Sequence, residues 1–283
     1  MIHLGLLGWP VSHSLSPKLH NAALKAMGLE GEYSLYPVEP GNDLLLENLL
    51  SKVRVGELRG LNVTIPYKQA VIPLLDRLSL SAKSIGAVNT IFLENGLLVG
   101  HNTDAPGFRM DLKKFSGNAF TRRSGGALIL GAGGSARAVL YSLTDSFKNI
   151  VVAARKLDQA QNLIDSFRNA GDEVFIEAVE MTSGLSRLNL DGIDLIVNTT
   201  PVGMHPNVEF SPWPVDLELP HSCVVYDLIY NPRETLLVRR AREMGFLATT
   251  GLGMLVEQAA LGFEIWTGLT PPREAMFSSL EEE

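Results

Sequence analysis

The chain has 283 residues, 46% of them hydrophobic and 19% charged, with 24 basic against 31 acidic side chains and a formal charge of −7. That length makes one large or two ordinary domains, enough to bury a core without disulfides or metal. The charge is mildly acidic, and no run of like charge is longer than Glu281–Glu283. A nucleic-acid binder, which needs clustered Lys and Arg, is therefore not expected. A single Cys223 forms no intrachain disulfide, and no Cys/His cluster has metal spacing. Apolar runs such as Ala127–Leu130 are far too short to span a membrane, and the first basic residue is Lys18, so no charged leader is read. A soluble, cytoplasmic globular protein is expected.

Short apolar runs alternate with stretches of helical period, the pattern of an α/β fold with mostly parallel strands. The first hundred residues predict strands at Ile2–Gly8, Tyr33–Val38 and Gly60–Ile65, with helices at Pro17–Met27, Asp43–Val53 and Tyr67–Leu75. Ala87–Leu93 and Leu97–Val99 flank an Asn-Gly turn signal and predict a hairpin. A helix from Pro106 to Phe115 leads into a polar linker, Ser116–Gly126.

A second α/β unit starts at Gly126. Strands are predicted at Ala127–Leu130, Ile150–Ala154, Val174–Ala178, Asp194–Asn198 and Val224–Ile229, and helices at Ser135–Leu143 and Thr235–Met244. The tail predicts a long helix over Met254–Trp266 and a short one after Pro272. The expected division is 1–104, an inserted nucleotide-type domain over 105–245, and helices in 246–283 that return to the first domain.

Gly131-Ala132-Gly133-Gly134-Ser135-Ala136 follows one predicted strand and opens a helix, the setting a dinucleotide fingerprint requires. Its glycines allow a tight turn and close approach to a pyrophosphate, which the helix N-terminus favours. A plain structural turn is the alternative. The second strand of this unit ends at Ala154, followed by Arg155 and Lys156, with no carboxylate from Val151 to Lys156 to hold ribose hydroxyls. Arg155 can fork onto a ribose 2′-phosphate, so NADP is the expected cofactor. Two solvated basic residues are the alternative, although cations at a helix N-terminus are electrostatically disfavoured.

Three polar segments outside that unit lie just beyond predicted strands. Ser14 and Ser16 beside a helix start suit a small carboxylate, while Ser16 before Pro17 also reads as a plain N-cap. In Asn62-Val63-Thr64-Ile65-Pro66-Tyr67-Lys68, Lys68 falls in a first helical turn. The macrodipole there favours the neutral amine, so Lys68 is a candidate acid/base, with a solvated lysine as the alternative. Asp104 in Asn102-Thr103-Asp104 is either an N-cap or the partner that orients Lys68.

Together the strings GWPVSHSLSPKLHNAAL, NVTIPYK, GAVNT, HNTDAPG, GAGGSARA, NTTPVGM, YDLIYNP and GLGMLVEQAALGFEIWTG run the length of the chain. In their order and spacing the chain resembles the shikimate dehydrogenase family. The resemblance implies a substrate domain completed by the C-terminal helices, an inserted Rossmann-type NADP domain, and reversible reduction of 3-dehydroshikimate to shikimate. It implies that Ser14 and Ser16 hold the substrate carboxylate, that Thr64, Asn89, Tyr230 and Gln258 contact substrate, and that Lys68 and Asp104 form the catalytic pair. Gly131–Ser135 would take the pyrophosphate, and Leu228, through its backbone, and Gly251 the nicotinamide end. Without the resemblance, Gln258 reads as a surface residue and Tyr230 as packing for a turn. Where the family usually has Asn-Arg-Thr the chain has Ala154-Arg155-Lys156, which keeps the arginine and loses two polar contacts. The alternatives are a quinate/shikimate dehydrogenase with relaxed cofactor use and a non-catalytic binder of shikimate-type ligands.

Overall fold

Short β-rich runs interleaved with amphipathic stretches build two six-stranded sheets in a computed structural model, which describes residues 1–117, 119–120, 125–167 and 174–281. The expected linker Ser116–Gly126 falls partly outside the described residues. The chain divides into two compact units, Met1–Gly107 with Val256–Glu283, and Phe108–Leu255.

The first unit runs β1 (Ile2–Gly8), α1 (Ser16–Ala26), β2 (Gly31–Pro37), α2 (Asp43–Arg54), β3 (Gly60–Val63), α3 (Tyr67–Ala70), β4 (Arg77–Leu78), α4 (Leu80–Ile85), β5 (Thr90–Glu94), β6 (Leu97–His101) and the start of α5 (Asp104–Ser116). Its sheet order is β2-β1-β3-β5-β6-β4. Parallel pairing joins β2, β1 and β3, and the β5–β6 hairpin then joins β3 antiparallel. Asn95 and Gly96 both take positive φ (52° and 78°), as a two-residue hairpin turn that follows the strand twist requires. The sheet is covered on both faces: Leu7, Leu61 and Val63 pack with Leu46, Leu49 and Val53 of α2, while Leu4 and Leu6 pack with Tyr33 and Trp266.

Two elements here were not predicted. β4 is two residues long and α4 six, too short for a periodic signal; only the Ser79 side chain, accepting from the Ala82 N–H at 3.1 Å, marks the start of α4. The predicted helix Tyr67–Leu75 is instead α3 followed by a 3-10 turn at Ile72–Leu74, broken where Pro73 cannot continue an α-helical ladder.

The second unit holds β7 (Gly126–Leu130), α6 (Gly134–Leu143), β8 (Asn149–Ala154), α7 (Leu157–Asp165), β9 (Phe175–Glu180), β10 (Ile193–Asn198), β11 (Val224–Asp227), α8 (Leu236–Glu243) and β12 (Leu247–Thr250). All its strands are parallel, in the order β12-β11-β10-β7-β8-β9. Every residue of β7 is buried, with Ala127 and Ile129 in one apolar cluster and Leu128 and Leu130 in another, as a doubly covered parallel strand demands. The unpredicted β12 extends this sheet beyond β11, and the second unit therefore runs past residue 245 to Leu255.

α9 (Leu252–Thr267) and α10 (Arg273–Glu281) end the chain. From Val256 onward α9 belongs to the first unit, and its i, i+4, i+8 face meets that sheet. Gln258 Oε1 lies 3.5 Å from Asn89 Nδ2, a Cβ on Gly262 would lie 3.5 Å from Asn62 Nδ2, and Trp266 Nε1 donates to the Ile91 carbonyl at 3.1 Å. Buried Glu257 pairs with Arg273 of α10 at 2.7 Å.

Candidate active site

In the first unit, strand direction gathers the expected residues at one sheet edge. β1 and β3 are parallel neighbours, so their C-terminal ends lead side by side into Ser14–Ser16 and Thr64–Lys68. β5 runs antiparallel to β3 and to β6, which brings Asn89, just before β5, beside Asn102–Asp104, just after β6. Polar side chains from separated segments thus meet where strands end, the usual place for a site in an open α/β sheet.

Lys68 Nζ lies 2.7 Å from Asp104 Oδ2, with the side chains 12% and 7% exposed. The other carboxylate oxygen, Asp104 Oδ1, accepts from Asn89 Nδ2 at 2.8 Å. The direction of the Asn89 amide follows from its surroundings. The Thr103 backbone N–H, which can only donate, sits 2.7 Å from the other terminal atom of Asn89, so that atom is the oxygen and the nitrogen faces Asp104. Thr90 reinforces this by donating to Asn89 Oδ1 at 3.0 Å and accepting from Asn62 Nδ2 at 3.3 Å. Behind them Tyr33 donates to Asn62 Oδ1 at 2.8 Å. A continuous buried chain therefore runs from Tyr33 to the Lys68–Asp104 pair. His20 stacks on Tyr33 with ring centroids 4.3 Å apart and planes within 5°. Burial drives its pKa down to about 3; Asn62 pulls the other way, and its geometry falls short of a hydrogen bond to the ring.

Three local expectations need correction. Ser16 is not the N-cap of α1: Leu15 holds that position, and Ser16 is the first helical residue, bonded to Ser14 Oγ at 3.2 Å. Asp104 does not cap α5 either. Asn102 Oδ1 takes the Ala105 N–H at 3.2 Å, which leaves the Asp104 carboxylate to Lys68 and Asn89. Lys68 does lie in a first helical turn, but α3 has only four residues and sums few peptide dipoles. The carboxylate of Asp104 is the stronger electrostatic neighbour.

Thr64 directly follows β3 with its N–H on the Leu7 carbonyl at 2.9 Å, and its methyl group occupies the space that a Cβ on Gly8 would need. Gln258 is buried rather than on the surface, packed so closely on Gly107 that a Cβ there would lie 2.9 Å from its own Cβ. Tyr230 lies in the second unit, half-buried in the loop after β11.

The glycine-rich string sits at the C-terminal end of β7 in the second unit. Gly131 has φ 113° and a Cβ there would lie 2.5 Å from Thr199 Oγ1, so only glycine fits. A Cβ on Gly133 would meet nothing within 4 Å, so the backbone borders open space at that point. Gly133 stands at the N-cap of α6, where no side chain caps the helix, and a helix N-terminus favours an anion. Ala132, Gly134 and Ser135 line the same turn, half-buried. Ala154 ends β8 buried, while Arg155 and Lys156 are exposed at the N-terminus of α7. Leu228 and Gly251 lie together, since a Cβ on Gly251 would come within 2.2 Å of the Leu228 carbonyl oxygen. An uncapped helix start behind glycines, next to an arginine at the following strand's end, fits a phosphate-bearing dinucleotide. Among the described residues no group of His, Cys, Asp and Glu could hold a metal ion, and no helix is long and apolar enough to cross a membrane.

Comparison with known proteins agrees with this geometry. The profile of the shikimate dehydrogenase substrate binding domain matches residues 6–91, and that of the shikimate 5'-dehydrogenase C-terminal domain matches residues 251–277. The shikimate dehydrogenase (NADP(+)) of Methanocaldococcus jannaschii is 40% identical over 277 residues, covering 98% of this chain and 95% of its own. The chain belongs to the shikimate dehydrogenase family. Among solved members, the shikimate 5-dehydrogenase of Thermus thermophilus in complex with NADP(H) and shikimate is 37% identical, with a TM-score of 0.84 over 99% of both chains. The quinate dehydrogenase of Corynebacterium glutamicum in complex with NAD is 33% identical, with a TM-score of 0.87 over 100% of this chain and 99% of that one. Shared architecture therefore does not separate the two substrates.

Within the family frame, sequence reasoning left Asn62, Thr90 and Tyr33 without roles, although each lies in or near a string it singled out. The one available signal was that Asn62, Asn89 and Thr90 are polar residues inside predicted strands, where burial is the rule. Pairing between distant segments, which no local pattern carries, assigns them.

Proposed function

We propose that the chain is an NADP-dependent shikimate dehydrogenase, which reduces 3-dehydroshikimate to shikimate and runs in reverse with NADP+. The observation that carries this is the Lys68–Asp104 pair, locked by Asn89 at an edge that also presents Ser14, Ser16, Thr64 and Gln258. The first unit takes the substrate and the second the cofactor, and Tyr230 completes the set of substrate contacts.

Ser14 and Ser16 hydroxyls hold the substrate carboxylate; Thr64, Asn89 and Gln258 hold ring hydroxyls. NADPH, when bound, supplies the hydride that the carbonyl carbon accepts. Lys68 gives a proton from its ammonium to the carbonyl oxygen, leaving a neutral amine that solvent reprotonates; in oxidation the neutral amine takes the hydroxyl proton. Asp104 keeps the lysine aimed and balances its charge. Gly131, Ala132, Gly133, Gly134 and Ser135 would hold the pyrophosphate, Ala154, Arg155 and Lys156 the phosphorylated ribose, and Leu228 and Gly251 the nicotinamide end. A cytoplasmic place of action suits the single buried, unpaired Cys223.

The test follows NADPH absorbance with 3-dehydroshikimate, and NADP+ and NAD+ reduction with shikimate and with quinate. Turnover of 3-dehydroshikimate and shikimate with the phosphorylated cofactor is expected. Equal efficiency on quinate with NAD+ would move the chain to the quinate branch, and binding of shikimate without turnover would make it a ligand-binding member.

A further inference from the structure

The C-terminal edge of the second sheet holds a buried carboxylate to which the proposed reaction gives no task. Asp227 closes β11 and is fully buried. Its Oδ1 accepts from Asn198 Nδ2 at 2.9 Å and from the Ile229 N–H at 3.0 Å; its Oδ2 accepts from the Thr235 hydroxyl at 2.7 Å. The directions are set by neighbours. Asn198 Oδ1 accepts the Thr200 N–H at 2.9 Å and the Thr200 hydroxyl at 2.7 Å, so its amide nitrogen must face Asp227. Thr235 caps α8 by accepting from the Val238 N–H and directs its own proton to Asp227.

All three donors are neutral, and burial pushes the Asp227 carboxyl up to about 6. A carboxylate kept in such surroundings opposes stability when ionised, so packing alone does not account for it. What it organises is backbone. The Asn198 carbonyl receives the Leu228 N–H at 2.9 Å, and the Ile229 carbonyl receives the Gly251 N–H at 3.0 Å. One carboxylate thereby ties together the loops that follow β10, β11 and β12. The strand order gives that edge a direction. β8, which leads directly into Arg155, lies on one side of β7, whereas β10, β11 and β12 lie on the other. A dinucleotide laid across the switch point with its adenosine half toward Arg155 places its other half on the side of β10 and β11.

We propose that Asp227 is a positioning residue for the nicotinamide half of the cofactor, acting through the backbones of Leu228 and Gly251, an assignment that rests on the cofactor reading above. The test measures equilibrium dissociation constants of NADP+ and of 2′-phospho-ADP-ribose, which lacks nicotinamide, on the wild type and on Asp227→Asn. The variant should bind NADP+ about tenfold more weakly, on the scale of one lost hydrogen bond to a charged group. Its affinity for 2′-phospho-ADP-ribose should stay within about twofold. Should Asp227→Asn fold poorly, Thr200→Val keeps its backbone donor and removes the hydroxyl that donates to Asn198 Oδ1 and accepts the Val202 N–H, and it should show the same selective loss at about threefold. Equal weakening of both ligands, or unchanged NADP+ binding, would reduce Asp227 to a structural role and overturn the proposal. A wild type that bound neither ligand would remove the cofactor reading itself, and this assignment with it.

Discussion

The two sheet edges gather buried polar groups in similar numbers of strands but balance charge in opposite ways. At the first, the Asp104 carboxylate faces the Lys68 ammonium at 2.7 Å; at the second, the Asp227 carboxylate faces an amide, a backbone N–H and a hydroxyl. A cation–carboxylate pair that keeps a little exposure places a transferable proton where a small molecule can reach it. A carboxylate held by neutral donors has no proton to pass on and serves to fix backbone. On the roles proposed above, the same topology would serve chemistry at one edge and positioning at the other.

The widest separation between the edges should come from Ser14 and Ser16. Replacing both with Ala should raise the KM for shikimate by about 10²–10⁴, since each hydrogen bond to a charged group is worth roughly 1.5–3 kcal/mol. The KM for NADP+ should hardly move. A fall in Tm with both constants unchanged would leave the serines as helix-start residues only.

At the second edge, Arg155→Ala should reduce the preference for NADP over NAD by about 10–150-fold, with the NAD constants nearly unchanged. Lys156→Ala should do the same more weakly, because an ammonium cannot make the two-bond fork. The preference should shrink as salt rises, since both side chains are exposed. A wild type with equal efficiency on the two cofactors would contradict this.

A smaller effect carries opposite signs in the two units. His20 has a folded pKa near 3, below its ordinary 6.5, so its contribution is full above pH 6.5 and is lost as pH falls toward 3. Asp227 has a folded pKa near 6, above its ordinary 3.8, so its contribution is present below pH 3.8 and is lost as pH rises through 6. Between pH 6 and pH 4, acid should weaken the first unit and strengthen the second, by roughly 1–3 kcal/mol each. Hydrogen exchange of the two sheets, corrected for intrinsic rates, measures this. Asp227→Asn should flatten the response of the second sheet alone; parallel responses in both sheets would refute the contrast.

Much of the fold was legible because its strands are long apolar runs set between glycine and proline signals, as in β7 and β10. What escaped were elements too short to show a period: β4, α4 and the four-residue β12. The pairing of Lys68 with Asp104 was legible from residue types and positions, whereas Asn89 came only from the family resemblance. The cap reading failed at Ser16, which stands one residue after the cap position of α1, and of the two readings open for Asp104 the cap gives way to Asn102. Asn62, Thr90 and Asn198 acquire roles only from pairing between segments far apart in the chain, and Asp227 only from its burial and the donors that surround it.

What the proposal sets apart at the first edge is a proton moved by Lys68 where other groups would bind the substrate. Shikimate oxidation by Lys68→Ala, measured beside its equilibrium binding of shikimate, decides whether this holds. The kcat should fall by about 10²–10⁴, the usual contribution of a positioned acid/base. Shikimate affinity should stay within about threefold of wild type, and Lys68→Arg should not rescue, because a guanidinium keeps its proton at working pH. Near-normal kcat in a folded variant, or an affinity that falls as far as kcat, would contradict proton transfer by Lys68.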